Sequence, residues 1–343
     1  MMRRRELTLA LAAGAAGVCA PALRRSALAA EMTSIRIVKQ YGMPYLPLMV
    51  MEHEKLVEKH AAKQGLAALD ITWATLGGPS AMVDGLLSGQ LQLGVTATPA
   101  LATLWDKTAG TAQEARALSA VQSQPYILTT RNPAVTSIAD FGGQDRIAVP
   151  SVKISGQALA LEMAAAKLWG FDQFEKLDPL TVSLPHPDAV AALLSGKSEV
   201  NSHYTVTPFY YYELATPGIR AVLKSYDTFG GKHVNGVLLT TKRFFDENPK
   251  ICTAVFAAQE EANAFIKVYP RDAAEIYLAL SGDKHDPLDK LTEMVADPDN
   301  DWTTIPAKSM EFVDFMHKVG RLKRVPNSWK DLFLPPAQDL AGS

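Results

Sequence analysis

The sequence carries the same local pattern twice, in the same order. The tetrapeptide Leu-Leu-Ser-Gly stands at residues 86–89 and again at residues 193–196, each time at the end of a helical apolar pattern. A short apolar segment follows each copy, and a Thr-Pro pair comes next, at residues 98–99 and 207–208. One match of this kind arises by chance, but two matches in the same order indicate a repeated structural unit. We therefore predict two similar halves, each with a helix, a turn, a strand and the start of a further helix.

Strand-like and helical patterns alternate along the rest of the chain. Such alternation is typical of α/β folds, in which helices cover a sheet. The chain has 343 residues, which is more than one ordinary domain requires. We predict two lobes, each an α/β sheet flanked by helices. The first lobe is discontinuous, with residues 31–124 and 232–343, and the second contains residues 125–231.

The stretch from Asp140 to Trp169 is the clearest candidate for a ligand seat in such a unit. A glycine pair begins it, and the apolar run Ile147–Val149 is typical of a buried parallel strand. A proline ends the strand, and Ser155 is suited to cap the helix that follows. The first turn of a helix leaves backbone N–H groups unpaired and carries partial positive charge. We predict that Ser151, Ser155 and Gly156 form half of a seat for a small anion, although an ordinary helix cap has the same sequence.

The first half of the chain contains corresponding strand ends. Gly77, Gly78 and Ser80 follow one predicted strand, and the two glycines allow a ligand to approach the backbone closely. Thr96 and Thr98 follow the next strand and begin another helix. Ligands of open α/β sheets bind where strands end and helices begin. We therefore expect these five residues to complete the seat from the other side.

A third strand end brings aromatic residues to the same edge. Tyr41, Met43 and Tyr45 lie between the first strand and a helix that is predicted from Leu48 to about Lys63. We count them as ligand contacts, but ordinary core packing explains them equally well. Lys153 adds charge near the predicted seat, and we expect it to be a solvated side chain rather than a ligand contact.

The remaining candidates lie in the second half and at the crossings between the halves. His203 and Tyr204 follow a strand that is predicted to end at Ser202. Ligand contact and burial as a hydrogen-bonded core histidine are equally good interpretations of His203. Ser123 and Asn235 stand where the chain is predicted to cross from one lobe to the other, and they complete the set of expected ligand contacts.

The N-terminus has the pattern of an export signal. Three arginines, Arg3–Arg5, precede an Ala/Leu-rich run, and Ala27-Leu28-Ala29 is a small-x-small cleavage motif. The paired arginines favour a twin-arginine signal over residues 1–29, and an ordinary secretory signal is the alternative. The mature chain then begins at Ala30 or Glu31. No later run approaches the roughly 20 apolar residues that span a bilayer, so we predict a soluble periplasmic protein.

Charge and composition exclude several classes of function. The chain has 34 basic and 36 acidic residues. Removal of the predicted signal leaves 29 basic and 35 acidic side chains, a formal net charge near −6, which argues against nucleic acid as a partner. No nucleophile elbow, zinc-protease or phosphate-loop motif is present. We therefore expect no catalytic activity, no metal and no cofactor.

Three motifs resemble those of the periplasmic substrate-binding proteins of ABC transporters. They are a turn and strand at residues 89–94, a strand-turn unit at residues 140–150, and a helix entry at residues 244–249. Their order is that of the family, and the resemblance covers most of residues 34–282. The most similar members bind nitrate, taurine and aliphatic sulfonates, and relatives bind pyrimidine precursors of thiamine.

The resemblance implies a type II periplasmic binding protein fold, in which two lobes close on a small solute. It implies that the solute is organic and anionic, with a sulfonate, nitrate-like or carboxylate group. It also implies delivery of that solute to a membrane permease with its ATPase, by a monomeric binding protein.

Two departures from the family pattern put the usual ligand in doubt. Gln92 stands where the family often has Asp, and His203-Tyr204 stands where a Trp or an acidic residue is common. His203 favours an anion or an aromatic carboxylate. Two alternatives stay open: a ligand-sensing protein for a receptor, and an enzyme on the same fold. The pyrimidine-forming relatives use a cysteine-rich stretch, whereas Cys252 is the only cysteine of the predicted mature chain.

Overall fold

The computed structural model describes residues 31–66 and 68–343, and the predicted signal at residues 1–29 lies outside this range. The strands are β1 Ser34–Lys39, β2 Asp70–Thr75, β3 Leu93–Thr96, β4 Ala115–Gln122, β5 Ile127–Thr130, β6 Ile147–Val149, β7 Thr181–Ser183, β8 Ser202–Thr205, β9 Arg220–Lys224 and β10 Gly236–Thr241.

The helices alternate with these strands in the first two thirds of the chain and dominate the last third. They are α1 Leu46–His53, α2 Leu56–Lys63, α3 Pro79–Leu87, α4 Thr98–Thr108, α5 Gly156–Trp169, α6 His186–Ser195, α7 Phe209–Leu214, α8 Ser225–Phe229, α9 Lys242–Glu247, α10 Pro249–Val268, α11 Pro270–Ser281, α12 Leu288–Ala296, α13 Ser309–Lys318 and α14 Pro335–Gln338. Short 3₁₀ turns occur at Met43–Tyr45, Ile138–Asp140, Phe171–Gln173, Asp178–Leu180 and Trp329–Leu332.

The strands form two five-stranded sheets of the same design. The first sheet has the order β2-β1-β3-β10-β4, and the second has the order β7-β6-β8-β5-β9. In each sheet the first three strands are parallel, and the fourth runs antiparallel to both of its neighbours. That antiparallel strand is β10 in the first sheet and β5 in the second, so each comes directly after a crossing from the other sheet. The α/β fold and the repeat predicted from the sequence are thus both present.

The sheets pack through a continuous apolar core. Apolar residues of β1, β3, β4 and β10 are fully buried, and β6 is buried at every position. Buried side chains of α4 and α5 belong to the same cluster as both sheets. Burial of apolar surface at roughly 25 cal/mol per Å² is the main term that stabilises such a core.

The structure corrects two element boundaries. The helix predicted from Leu48 to Lys63 is two helices, α1 and α2, because Lys55 takes a left-handed conformation with φ of 50°. The sequence between them is compatible with a helix. Packing selects the break, since it lets α2 bury one face and pair Lys59 and His60 with Glu261 of α10. Helix propensity is a weak local preference, and tertiary contacts of this kind override it.

The second correction concerns β8. The strand predicted to end at Ser202 continues to Thr205, so His203 and Tyr204 lie inside the sheet and not beyond it. Pairing with β5 explains the extension, since Tyr204 stands opposite Leu128 and His203 opposite Thr129. Pairing with β5 therefore extends β8 beyond Ser202, where the apolar pattern of β8 ends.

The C-terminal helices contact both halves of the fold. Helix α10 packs against α1, α2 and β4 of the first half. The ring of Phe315 on α13 instead lies 6.0 Å from the rings of Phe171 and Phe174, which follow α5. No helix of the described residues is long and apolar enough to cross a bilayer.

Candidate ligand-binding site

A small cavity of about 30 Å³ lies between the two sheets, at the ends of their parallel strands. A cavity of this size holds one or two water molecules. Both halves of the chain line it, with Gln40, Pro44, Tyr45, Pro79, Ala97, Gln122 and Asn235 from the first sheet and its connections, and Tyr126, Pro150, Ser155, Gly156, Gln157, His186 and Val206 from the second.

Five helices begin at the wall of this cavity. Three start from the first sheet: Tyr45 precedes α1, Pro79 is the first residue of α3, and Ala97 precedes α4. Two start from the second sheet, where Ser155 caps α5 and His186 is the first residue of α6. A helix beginning presents free N–H groups and partial positive charge. The beginnings of helices from both halves therefore meet at the cavity, and four of the five carry a proline in their first two positions, which removes one N–H group from each.

The cap of α5 forms as the sequence predicts. The Ser155 hydroxyl accepts a hydrogen bond from the backbone N–H of Ala158 at 3.2 Å, and only 2 % of the residue is exposed. Gly156 follows, and a Cβ atom there would lie 2.2 Å from Tyr126 Oη and 3.0 Å from the Cβ atom of Ala97. Only a glycine lets α5 begin this close to the opposite wall.

The two halves touch directly beside the cavity. Ser80 Oγ lies 3.2 Å from Ser151 Oγ, so the two hydroxyls form a hydrogen bond across the seam. A Cβ atom on Gly78 would lie 2.9 Å from the carbonyl oxygen of Pro150, and one on Gly77 would lie 3.1 Å from Pro185. These predicted site residues close the two halves on each other, and the cavity lies next to them.

Buried polar atoms without a partner cluster around the cavity. Gln122 Oε1 and Asn235 Oδ1 belong to lining residues, and neither has a hydrogen-bond partner within the described chain. Thr96 and Thr98 stand on either side of the lining residue Ala97, and their hydroxyls also have no partner within the described chain. The same is true of the side-chain amide of Gln124 and of the Tyr204 hydroxyl. Most buried polar groups in proteins are hydrogen-bonded. The lining oxygens of Gln122 and Asn235 are therefore available to accept hydrogen bonds from a molecule in the cavity.

The lining is polar but carries no formal charge. It contains no Lys, Arg, Asp or Glu. Burial raises the pKa of Tyr45 and of Tyr126 above the usual range, so both hydroxyls stay protonated, and that of Tyr126 donates to the backbone carbonyl of Asn235 at 3.3 Å. Burial, with a smaller effect of His203, lowers the pKa of His186 well below its usual value, so this imidazole is neutral. A bound anion would therefore be stabilised by helix beginnings and neutral hydrogen-bond donors, and not by cationic side chains as in other anion sites.

A larger pocket of about 460 Å³ opens beside the small cavity, and Gln40 lines both. Aromatic rings form much of its wall. The ring-bearing residues are Tyr41, Phe209, Tyr212, Tyr277 and His285. Its volume is in the range of ordinary small-molecule pockets, about 300–1,000 Å³.

The structure brings most, but not all, of the predicted site residues to this region. Tyr45, Ser155, Gly156 and Asn235 line the small cavity, and Tyr41 lines the larger pocket. Thr96, Thr98 and Tyr204 are buried beside the cavity with unpaired hydroxyls, and Gly77, Gly78, Ser80 and Ser151 form the seam.

Three predicted contacts and one residue expected to be solvated lie elsewhere. Met43 is fully buried in the core, and Ser123 pairs with Asp301 through two backbone hydrogen bonds of 2.8 Å. His203 is buried behind His186 and does not line the cavity. Lys153 pairs with Glu175 at 3.1 Å on the surface, and this partner raises its pKa.

Sequence reasoning missed five polar lining residues, and the first of them, Gln40, lies directly after β1. Gln122 and Tyr126 lie on the first crossing, which carries no helix beginning and therefore gave no signal. Gln157 is in the first turn of α5, one residue beyond the predicted seat. His186 begins α6 directly after β7, so the strand-end argument used for the other candidates would have identified it.

The described residues contain no group of three or more His, Cys, Asp or Glu side chains arranged to hold a metal ion.

The two matching sheets, each with one antiparallel strand supplied after a crossing, and the cavity between them define the type II periplasmic binding protein fold. No protein-family model matches the sequence, and no curated protein sequence matches it. Solved structures do match. The alkanesulfonate-binding protein SsuA of Xanthomonas axonopodis pv. citri, bound to MOPS, has a TM-score of 0.65 and 18 % identity, over 86 % of this chain and 96 % of that one.

Two further structures agree with this result. The aliphatic sulphonate binding protein SsuA of Escherichia coli has a TM-score of 0.64 and 18 % identity, over 91 % of this chain and 95 % of that one. The nitrate-binding protein NrtA of Synechocystis PCC 6803 has a TM-score of 0.63 and 15 % identity, over 88 % of this chain and 84 % of that one. At these identities the similarity defines the fold of this chain.

Proposed function

We propose that this protein is the solute-binding component of an ABC importer and captures a small organic solute with an anionic head group. The observation that carries the proposal is the convergence of five helix beginnings, from both sheets, on one uncharged cavity with unpaired polar atoms around it. The helix beginnings favour a ligand group that accepts hydrogen bonds and needs no formal counter-charge, whereas the unpaired amide oxygens of Gln122 and Asn235 accept from a donor elsewhere on the ligand.

The two neighbouring pockets suggest how the solute is divided between them. The small cavity takes the head group, which displaces water from the helix beginnings. The larger aromatic pocket, reached past Gln40, takes the organic part. The solved structures of similar fold bind alkanesulfonates, aliphatic sulphonates and nitrate, which are anions of this kind.

The proposal includes a cycle of opening and closing. Residues 31–124 and 232–343 form one lobe and residues 125–231 the other, and the strand membership of the two sheets supports these bounds. The solute enters when the seam at Gly78 and Ser151 separates, and closure buries it. The closed form then delivers the solute to a membrane permease with its ATPase. The protein acts in the periplasm as a monomer, and its mature chain begins at Ala30 or Glu31 after the signal has been cleaved.

Native mass spectrometry of the purified protein tests the ligand class, because a solute enclosed between lobes survives gentle purification. Calorimetry with sulfonates, nitrate and carboxylates, and with neutral amides and amines as controls, then ranks the head groups. We expect anions to bind and the recovered solute to be chemically unchanged. Binding of amines alone, or conversion of the solute, would contradict the proposal.

A further inference from the structure

Four buried side chains form a hydrogen-bonded chain that leads from the second sheet to the cavity. Glu213 Oε1 lies 2.5 Å from His203 Nδ1, and His203 Nε2 lies 2.8 Å from His186 Nδ1. His186 Nε2 lies 3.2 Å from Nε2 of the Gln157 side-chain amide. The first two residues are fully buried, and the last two line the cavity. The inner end of this chain therefore touches the site only through His186 and Gln157.

The charge at the buried end determines the proton count of the chain. Glu213 has one other polar contact, the hydroxyl of Thr129, which donates at 2.5 Å. Among residues 31–66 and 68–343, no Lys or Arg lies within ion-pair distance of Glu213. A carboxylate without a positive partner is very costly at full burial. The Glu213–His203 pair is therefore neutral overall, which means that it holds one proton more than a carboxylate beside a neutral imidazole.

That extra proton has two possible positions, and both have the same consequence. If it is on His203, the imidazolium donates from Nδ1 to the carboxylate and also carries a proton on Nε2. If it is on Glu213, the carboxyl group donates to Nδ1, and the neutral imidazole again carries its proton on Nε2. In either state His203 donates to Nδ1 of His186.

His186 then has only one available form. As a neutral imidazole that accepts at Nδ1, it carries its own proton on Nε2, which points at Gln157. A donor there needs an acceptor opposite, so we assign the Gln157 amide with its oxygen toward His186, turned over from the placement in which Nε2 faces the ring. The NH₂ group of Gln157 is left as the donor that remains free at the cavity wall.

We propose that Glu213 and His203 are positioning residues that act through His186 to turn the NH₂ group of Gln157, as a hydrogen-bond donor, toward the solute. The inference rests on the proposed function and makes it more specific: the part of the solute at this wall is an acceptor, such as a sulfonate, carboxylate or carbonyl oxygen. An ammonium or amide NH₂ group at the same place would face donors and be rejected.

The tautomer of His186 tests the inference without any ligand. The full mature chain, labelled with ¹⁵N-histidine, gives long-range ¹H–¹⁵N spectra in which a protonated and an unprotonated ring nitrogen differ clearly. The signals of His186 are assigned by their loss in His186→Asn. We expect a proton on Nε2 and none on Nδ1. The opposite tautomer would overturn the inference, whatever the protein binds.

A pair of variants at Glu213 tests the positioning role. Glu213→Gln keeps the direction of the chain, because its oxygen accepts from Thr129 and its NH₂ group donates to His203. Glu213→Leu removes any partner for His203 Nδ1. We expect Glu213→Gln to retain the wild-type tautomer of His186 and its affinity for the solute found by mass spectrometry, within about threefold.

Glu213→Leu is expected to give mixed tautomers and about tenfold weaker binding at an unchanged circular dichroism spectrum. If Glu213→Leu does not fold, the tautomer in wild type and in Glu213→Gln still decides the question. Loss of the wild-type tautomer in Glu213→Gln would count against the inference. Failure of every solute to bind, with the expected tautomer present, would instead refute the proposed function alone.

Discussion

The charge of the solute is best tested at Ser155. This residue caps α5, lines the small cavity and is almost fully buried. Asp and Asn are both as good as Ser at a helix N-cap, so Ser155→Asp and Ser155→Asn should each keep the fold. The two replacements have nearly the same size and differ by one negative charge. Any difference in affinity between them therefore reports the charge of the bound head group.

The expected difference follows from the size of the site. In a cavity of about 30 Å³, a bound head group lies about 4 Å from the cap side chain. Two like unit charges at 4 Å repel by about 4 kcal/mol at an effective dielectric constant near 20. That energy corresponds to about three orders of magnitude in Kd. Ser155→Asn loses only what steric crowding costs, and Ser155→Asp should lose about a thousandfold more.

Calorimetry with the solute identified by mass spectrometry measures both affinities, and thermal unfolding verifies that both variants are folded. Equal affinities of the two variants would mean that the head group is uncharged. Tighter binding by Ser155→Asp would mean that it is cationic. Either result would refute the assignment of an anion seat at the beginning of α5.

Three further predictions concern stability. Gly156→Ala places a Cβ atom 2.2 Å from Tyr126 Oη, so it should lower the free energy of unfolding by about 1–3 kcal/mol in urea titrations. Gly142→Ala, which meets nothing within 4 Å, is the control, and equal losses would contradict the argument. Burial lowers the pKa of His233 to about 4. The unfolded chain therefore binds this proton first, and unfolding should become easier by about 3 kcal/mol as the pH falls from 6.5 to 4. His233→Gln should lose that part of the pH dependence, and an unchanged slope would show that the imidazole does not cause it. The Glu31 carboxylate accepts two backbone N–H bonds in the first turn of α10. Glu31→Gln should lower the free energy of unfolding by about 0.5–1 kcal/mol, which thermal unfolding shows as a lower melting temperature. This loss of stability should be smaller in high salt.

Local chemistry explains which parts of the fold were predictable. The segment from Ile147 to Trp169 formed as expected, because an apolar run, a proline and a capping serine each favour the same strand-turn-helix. The end of β8 and the break at Lys55 were not predictable, since in both cases a distant segment decides the outcome. β5 extends the strand past His203, and α10 selects the break between α1 and α2. Such contacts are not encoded within a few residues of the boundary.

The residues of the candidate site fall into the same two groups, those with a local sequence signal and those placed by distant segments. Residues next to helix beginnings, such as Ser155 and Gly156, were identified because the backbone geometry of a cap has a sequence signature. Gln122 and Tyr126 lie on the crossing between the sheets, where nothing local indicates a ligand. Glu213 acts from behind His203, and only the three-dimensional arrangement shows that connection.

This division has a physical origin in the repeat. Because both sheets have the same strand order, both present parallel strand ends, and therefore helix beginnings, to the space between them. The main-chain donors are thus a property of the repeated unit and are common to both halves. The crossings lie outside the repeated unit. His186, His203 and Glu213 lie in its second copy, but the first copy, residues 79–108, contains no histidine, so this chain of side chains differs between the halves. A protein of this design can therefore change its solute by changing those side chains, while the seat for the head group stays the same.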